Sequence, residues 1–175
     1  MKKYYLILTT TLIFVFLSAC NSIENEPNHS HYSGEEKRTI KSLSDDDINN
    51  YLNGNGMGFA KAAELNGFPG PKHILENESK LELTVEQTEE IQKSFQKMKG
   101  EAVNLGKIIV EKEKELDTLF GENKIDGDVL KGKTQEIAKL QGDLRNVHLQ
   151  AHLEMKRVLS PQQVGKYNQL RGYSN

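Results

Sequence analysis

Tryptophan is absent from these 175 residues, cysteine occurs once and proline four times. A single thiol excludes a disulfide framework and any zinc site built from several thiolates. There is no surplus of basic charge to attract nucleic acid: Lys and Arg number 23 against 25 Asp and Glu, a formal net charge of −2. No Ser/His/Asp grouping, no H-E-x-x-H and no pair of carboxylates in an apolar setting occurs, so enzymatic machinery is not expected. Only 36% of the residues are hydrophobic, and many of those lie at the N-terminus. The length suits one small domain.

Met1-Lys2-Lys3 is a short positive start, and Tyr4 to Leu17 is an apolar run broken only by Thr9, Thr10 and Thr11. Ser18 and Ala19 follow. This is the layout of a secretory signal peptide over residues 1–19, too short for a comfortable membrane span. Leu17-Ser18-Ala19-Cys20 resembles a bacterial lipobox, which implies that Cys20 is lipidated and becomes the mature N-terminus. Several acyl chains would hold the protein stably to a membrane where one would not. Asn21 stands where an Asp would retain such a protein in the inner membrane, so a periplasmic protein anchored to the outer membrane is expected. Losing Lys2 and Lys3 leaves the mature chain more acidic than the whole.

Residues 20–42 are rich in Asn, Glu, Ser and His, with little apolar surface to offset chain entropy, and read as a flexible tether. Its His29 and His31 read as solvated. The folded domain is expected over 43–175. Ser44 followed by Asp45-Asp46-Asp47 marks a helix start, with a helix over about 45–52. The glycine-rich stretch Gly54-Asn55-Gly56-Met57-Gly58 lacks the features of a phosphate loop and reads as a sharp turn or a close backbone approach. A short helix over Phe59–Leu65, an extended turn over Phe68-Pro69-Gly70-Pro71 and one helical turn over His73–Glu76 complete the N-terminal half.

Thr84 and Gln87 form a capping box. Behind it, Ile91, Phe95, Met98, Ala102, Leu105, Ile109, Leu116 and Leu119 keep a three-four spacing that predicts a helix from about 84 to 120. After a turn at 121–127, capped by Asp126 or Asp128, Ile137, Leu140, Leu144, Val147, Ala151 and Val158 predict a second long helix ending near Leu159. Ser160-Pro161 opens a last helix that stops at Gly172. No strand is expected. The fold class is all-α, a long antiparallel helical hairpin with short N- and C-terminal helices. Two helices alone have too little core, so the short helices or a second chain must cover the rest, and a homodimer is expected.

Leu83-Thr84-Val85-Glu86-Gln87 and Leu159-Ser160-Pro161-Gln162-Gln163 are two copies of one Leu-Thr/Ser-x-x-Gln motif. With the secreted context, the pair resembles the Spy/CpxP family of periplasmic stress proteins and its heavy-metal sensor and resistance branch, over about Leu43 to Tyr173. The resemblance rests on Leu83, Thr84, Gln87, Leu159, Ser160 and Gln163. It implies a cradle-like dimer that binds unfolded clients without ATP, or a partner such as an envelope sensor protein. Phe59, Phe68, Phe95, Met98 and Phe120 are the candidate client-binding residues, although Met57 and Met98 also read as packing residues. The alternative that the family implies is a periplasmic metal sensor or resistance protein.

His148 and His152 lie one turn apart on the second long helix, at the edge of its seam, with Met155 near. Imidazoles at that spacing can take Zn²⁺, Ni²⁺ or Cu²⁺, and a thioether adds a soft ligand. A hairpin that turns near Lys124 sets His148 opposite Glu101, the candidate third ligand. His73 approaches if the N-terminal helices fold back. The plainer reading makes both histidines flanking residues of a helix interface.

Overall fold

A computed structural model describes residues 30–173. The expected signal peptide and the tether's first ten residues, with the Cys20 lipidation site and His29 among them, lie outside the described residues. The chain divides into two units, Met1–Ser33 and Gly34–Asn175. Of the first, residues 30–33 are described, as a turn closed by Ser33 N–H on the Ser30 carbonyl at 2.9 Å. The exposed His31 lies in it.

The second unit is all-α among its described residues. A 3-10 turn at Glu35–Lys37 precedes α1 (Asp45–Leu52), α2 (Lys61–Glu64), α3 (Pro71–Leu75), α4 (Val85–Gly121), α5 (Gly127–Val158) and α6 (Pro161–Leu170). No described helix is long and apolar enough to cross a membrane. Three helices start at capping boxes: Ser44 with Asp47, Thr84 with Gln87, and Ser160 with Gln163. Asp126 caps α5 by accepting from Asp128 and Val129 N–H. At the junction of α5 and α6, Leu159 and Ser160 are extended, as a residue before proline favours, and Pro161 opens α6.

α4 and α5 form the expected antiparallel hairpin. Ser94–Glu154, Lys112–Glu136 and Lys133–Glu115 pair across it at 2.5, 3.1 and 2.5 Å in one constant register. Two apolar clusters hold the short elements to it. One joins Ile74 and Leu81 to Ile91, Met155, Leu159, Val164 and Tyr167. The other joins Ile40, Leu43 and Tyr51 to Ala102, Ile109 and Leu144. Burying an aliphatic or aromatic side chain of this size contributes roughly 1.5–3 kcal/mol, so the two clusters are what keep α1 and α3 on the hairpin. Beyond them the hairpin carries little cover: from 110 to 136 no residue is buried.

Several expectations are corrected. The last third of the tether is folded: Ile40 is 2% exposed, Lys41 pairs with Asp117 at 3.2 Å, and Ser42 bonds Glu113 at 2.9 Å. One isoleucine and two polar contacts suffice, because α4 offers them a long partner. The helix expected at Phe59–Leu65 shrinks to Lys61–Glu64, since Gly58 (φ 77°) turns the chain just before it. The extended turn expected at 68–71 ends earlier, because Pro71 begins α3 instead of preceding it. α1 lies so close to α4 that a Cβ on Gly106 would sit 2.1 Å from the Tyr51 carbonyl oxygen. A Cβ on Gly54 would sit 3.0 Å from Val103. Close approach and a sharp turn (Gly54 φ 55°) are thus both at work in the glycine-rich stretch.

Candidate functional site

The two copies of the repeated motif meet at the open end of the hairpin. Each glutamine carbonyl accepts from the backbone N–H of its own capping residue, Thr84 at 3.1 Å and Ser160 at 2.9 Å. The side-chain amides of Gln87 and Gln163 also donate to each other, at 3.0 and 2.9 Å. Their remaining hydrogens reach the Val158 carbonyl at 2.9 Å and the Leu81 carbonyl at 3.2 Å. Every donor and acceptor of both amides is therefore used. Leu159 is buried and Leu83 half-buried against the same cluster. The motif closes the base of the hairpin and offers no free group to a ligand.

Between the two apolar clusters the hairpin carries a polar layer. Ser94 supplies it from α4 and His148 and His152 from α5, with Met98 and Ala151 packed beside them. Both histidines are buried, 4% and 9% exposed, because α2 and α3 cover the flank of α5 that the seam alone leaves open. They are not edge residues. Met155 is fully buried in the first cluster and its thioether packs there.

His152 is held firmly. Its Nδ1–H donates to the Phe68 carbonyl at 2.7 Å, and Glu64 Oε2 lies 3.7 Å away. Its ring lies against Gly70, where a Cβ would come within 3.0 Å of Cε1 and Nε2. Glu64 Oε1 in turn accepts from Tyr167 (2.6 Å), Tyr173 (3.0 Å) and Arg171 (3.3 Å). Burial first, and then the Glu64 bond and charge, hold the Tyr167 phenol protonated far above its ordinary range. This network ties α2 to α6.

His148 has no such support. It stacks on Phe59 with ring centroids 6.0 Å apart, and its buried Nε2 has no hydrogen-bond partner. Burial first, then the neighbouring His152 and Lys99, push its pKa below the usual histidine value. Both histidines line a cleft of about 340 Å³ between the hairpin and the segments around Gly54 and Gly70. His73 also lines it, so the N-terminal helices do fold back far enough. Its Nδ1 pairs with Glu76 at 2.8 Å.

Glu101 does not join them. It lines a separate groove of about 210 Å³ on the other side of the helix pair, with Lys97, Gln150 and Glu154. Among the described residues no group of three or more His, Cys, Asp or Glu side chains converges where a metal ion could be held. The set His148, His152, Met155 and Glu101 is thus not assembled as a ligand shell. The aromatic set is scattered too. Phe95 and Met98 line the histidine cleft, Phe59 covers His148, and Phe68 lies under the Lys156 ammonium at 5.3 Å. Phe120 stands apart at the tip of the hairpin, 54% exposed.

Sequence reasoning missed Lys99, whose Nζ donates to the Asn53 carbonyl at the cleft, and Lys72 beside it. Neither belongs to a motif; a hairpin register would have set Lys99 near the two histidines, whereas nothing local signals Lys72, which α3 brings to the cleft. No protein-family model, curated protein or solved structure matches the chain.

Proposed function

We propose that this chain is a lipid-anchored periplasmic stress protein of the Spy/CpxP type, a binding protein rather than an enzyme, that holds unfolded client segments without ATP. Cys20 would carry the anchor, on the outer membrane, and a second copy of the chain would complete a cradle. The observation that supports client binding most is the exposed tip of the hairpin. There Phe120, Val129 and Leu130 expose apolar side chains, in a stretch of the hairpin where no residue is buried. Surfaces of that kind favour contact with other apolar chain segments. The paired glutamine motifs support the family reading by closing the hairpin at its base. The alternative, a transition-metal sensor or resistance protein, has only the His148–His152 pair left in its favour.

The test is light scattering of reduced insulin with the purified chain and no nucleotide. Suppression of aggregation is expected at near-stoichiometric ratios. A Phe120→Ser/Val129→Ser/Leu130→Ser variant with an unchanged melting curve should lose most of it. Failure of the folded wild-type chain to suppress aggregation would overturn the reading.

A further inference from the structure

The histidine cleft has a one-sided character that neither client binding at the hairpin tip nor a metal site explains. Lys72, Lys99 and three histidines line it, and no Asp or Glu does. Glu76 pairs with Lys72 and His73 and Glu64 lies beside His152, but no carboxylate reaches the cleft lining, so a divalent cation entering there would meet ammonium groups and no acidic ligand. Its floor is apolar, formed by Phe95 and Met98. Among the residues lining the cleft, one fully buried side-chain nitrogen has no hydrogen-bond partner: His148 Nε2, on a side chain only 4% exposed. Buried polar atoms in folded proteins are almost always paired, so a lone one beside a cavity marks the place of an absent partner. A volume of about 340 Å³ falls in the range of small-molecule sites, which combine an apolar lining with a few fixed polar groups.

We infer that the cleft binds a small organic carboxylate with an apolar arm. Lys99 and His148 take the carboxylate, and Phe95 and Met98 carry the arm. Lys99 is already oriented by its bond to the Asn53 carbonyl, which leaves two ammonium hydrogens for a ligand. His148 Nε2 gains the partner it lacks. Lys72, whose Glu76 partner is 3.8 Å away, supports the anion from the rim. The inference does not rest on the client-binding reading, since the cleft and the hairpin tip share no residue.

Calorimetric titration of the purified chain with octanoate tests it, beside octanol, octylammonium and Zn²⁺. Octanoate should bind at one site, and octanol and octylammonium at least about tenfold more weakly, the loss expected when one charge-assisted hydrogen bond is missing. Lys99→Gln should weaken octanoate by a similar factor and Lys99→Arg should largely restore it. Lys97→Gln, on the opposite groove, should change nothing. Circular-dichroism melting confirms that each variant is folded. Absence of octanoate binding overturns the inference. So does equal binding of octanol, which would make the cleft merely apolar, or equal loss in Lys97→Gln, which would make the effect diffuse charge. Zn²⁺ binding that excludes octanoate and vanishes in Lys99→Gln-independent fashion with His148→Ala would assign the cleft to a metal instead.

Discussion

The side-chain amides of Gln87 and Gln163 hold each other face to face, 76 residues apart in the chain, at 3.0 and 2.9 Å. Each also closes the capping box of its own helix. One residue type at one motif position therefore starts α4, starts α6 and ties the two starts together. Removing either glutamine breaks both amide–amide bonds and strands one donor and one acceptor of the other, along with the capping N–H and the backbone carbonyl that it served. Gln87→Ala or Gln163→Ala should each cost about 2–4 kcal/mol, taking net hydrogen bonds at roughly 1 kcal/mol and the orphaned amide as an added penalty. Urea unfolding of the single and double variants checks this. The double loss should fall clearly short of additivity, and strict additivity would mean that the amides act only as separate caps.

Gly106 and Gly100 lie on the same helix in opposite circumstances. Gly106→Ala drives a methyl into the Tyr51 carbonyl and must push α1 off α4, so a loss of about 2 kcal/mol or more is expected. Gly100→Ala meets nothing within 4 Å and should stabilise α4 by about 0.5–1 kcal/mol. Thermal melts of the two variants should move in opposite directions.

Buried His148 makes stability depend on pH in one direction. Its pKa is lowered in the folded chain, by burial and by His152 and Lys99 around it, while Glu64 beyond His152 is the nearest acid in that network. The unfolded chain therefore takes up this proton first. The contribution of neutral His148 is complete above the ordinary histidine pKa of about 6.5 and is lost as pH falls below it toward the depressed folded value. The melting temperature should fall between about pH 7 and 5, and His148→Leu should flatten that slope. Asp47 and Glu76, both lowered by hydrogen bonds, act at more acidic pH.

Glu64 gathers Tyr167, Tyr173 and Arg171 on one oxygen. Glu64→Gln should loosen the attachment of α6, costing about 1–3 kcal/mol for the weakened charge-assisted bonds. Hydrogen exchange localises the effect: amides of α6 should open more readily while those of the α4–α5 register do not. Uniform loss across the chain would place Glu64 in the global core instead.

Much of this architecture was legible locally. The spacing of Ile91, Met98, Ala102 and Ile109 marked α4 to within a residue at each end, Thr84 and Ser160 marked two helix starts, and the start of α5 was narrowed to Asp126 or Asp128, of which Asp126 is the cap. A turn near Lys124 placed His148 across from the Gly100–Glu101 stretch, and the observed register agrees. The flank was not legible. Lys99 and Glu101 are two residues apart on α4 and so line opposite grooves, a distinction that a register alone does not make. Nor was it legible that the phenylalanines share no single surface: Phe59 covers His148, Phe68 lies under Lys156, Phe95 lines the cleft and Phe120 stands at the hairpin tip.

Helix periods, caps and turns follow from neighbours within a few residues, and these the sequence by itself determined: the all-α class, the hairpin and its register. Burial depends on what arrives from elsewhere in the chain. Only the tertiary structure decided that Ile40 belongs to the core, that α2 and α3 bury His148, His152 and Met155, and that two capping glutamines become each other's partners. Each of those contacts links segments tens of residues apart, where no local spacing records which surfaces will meet.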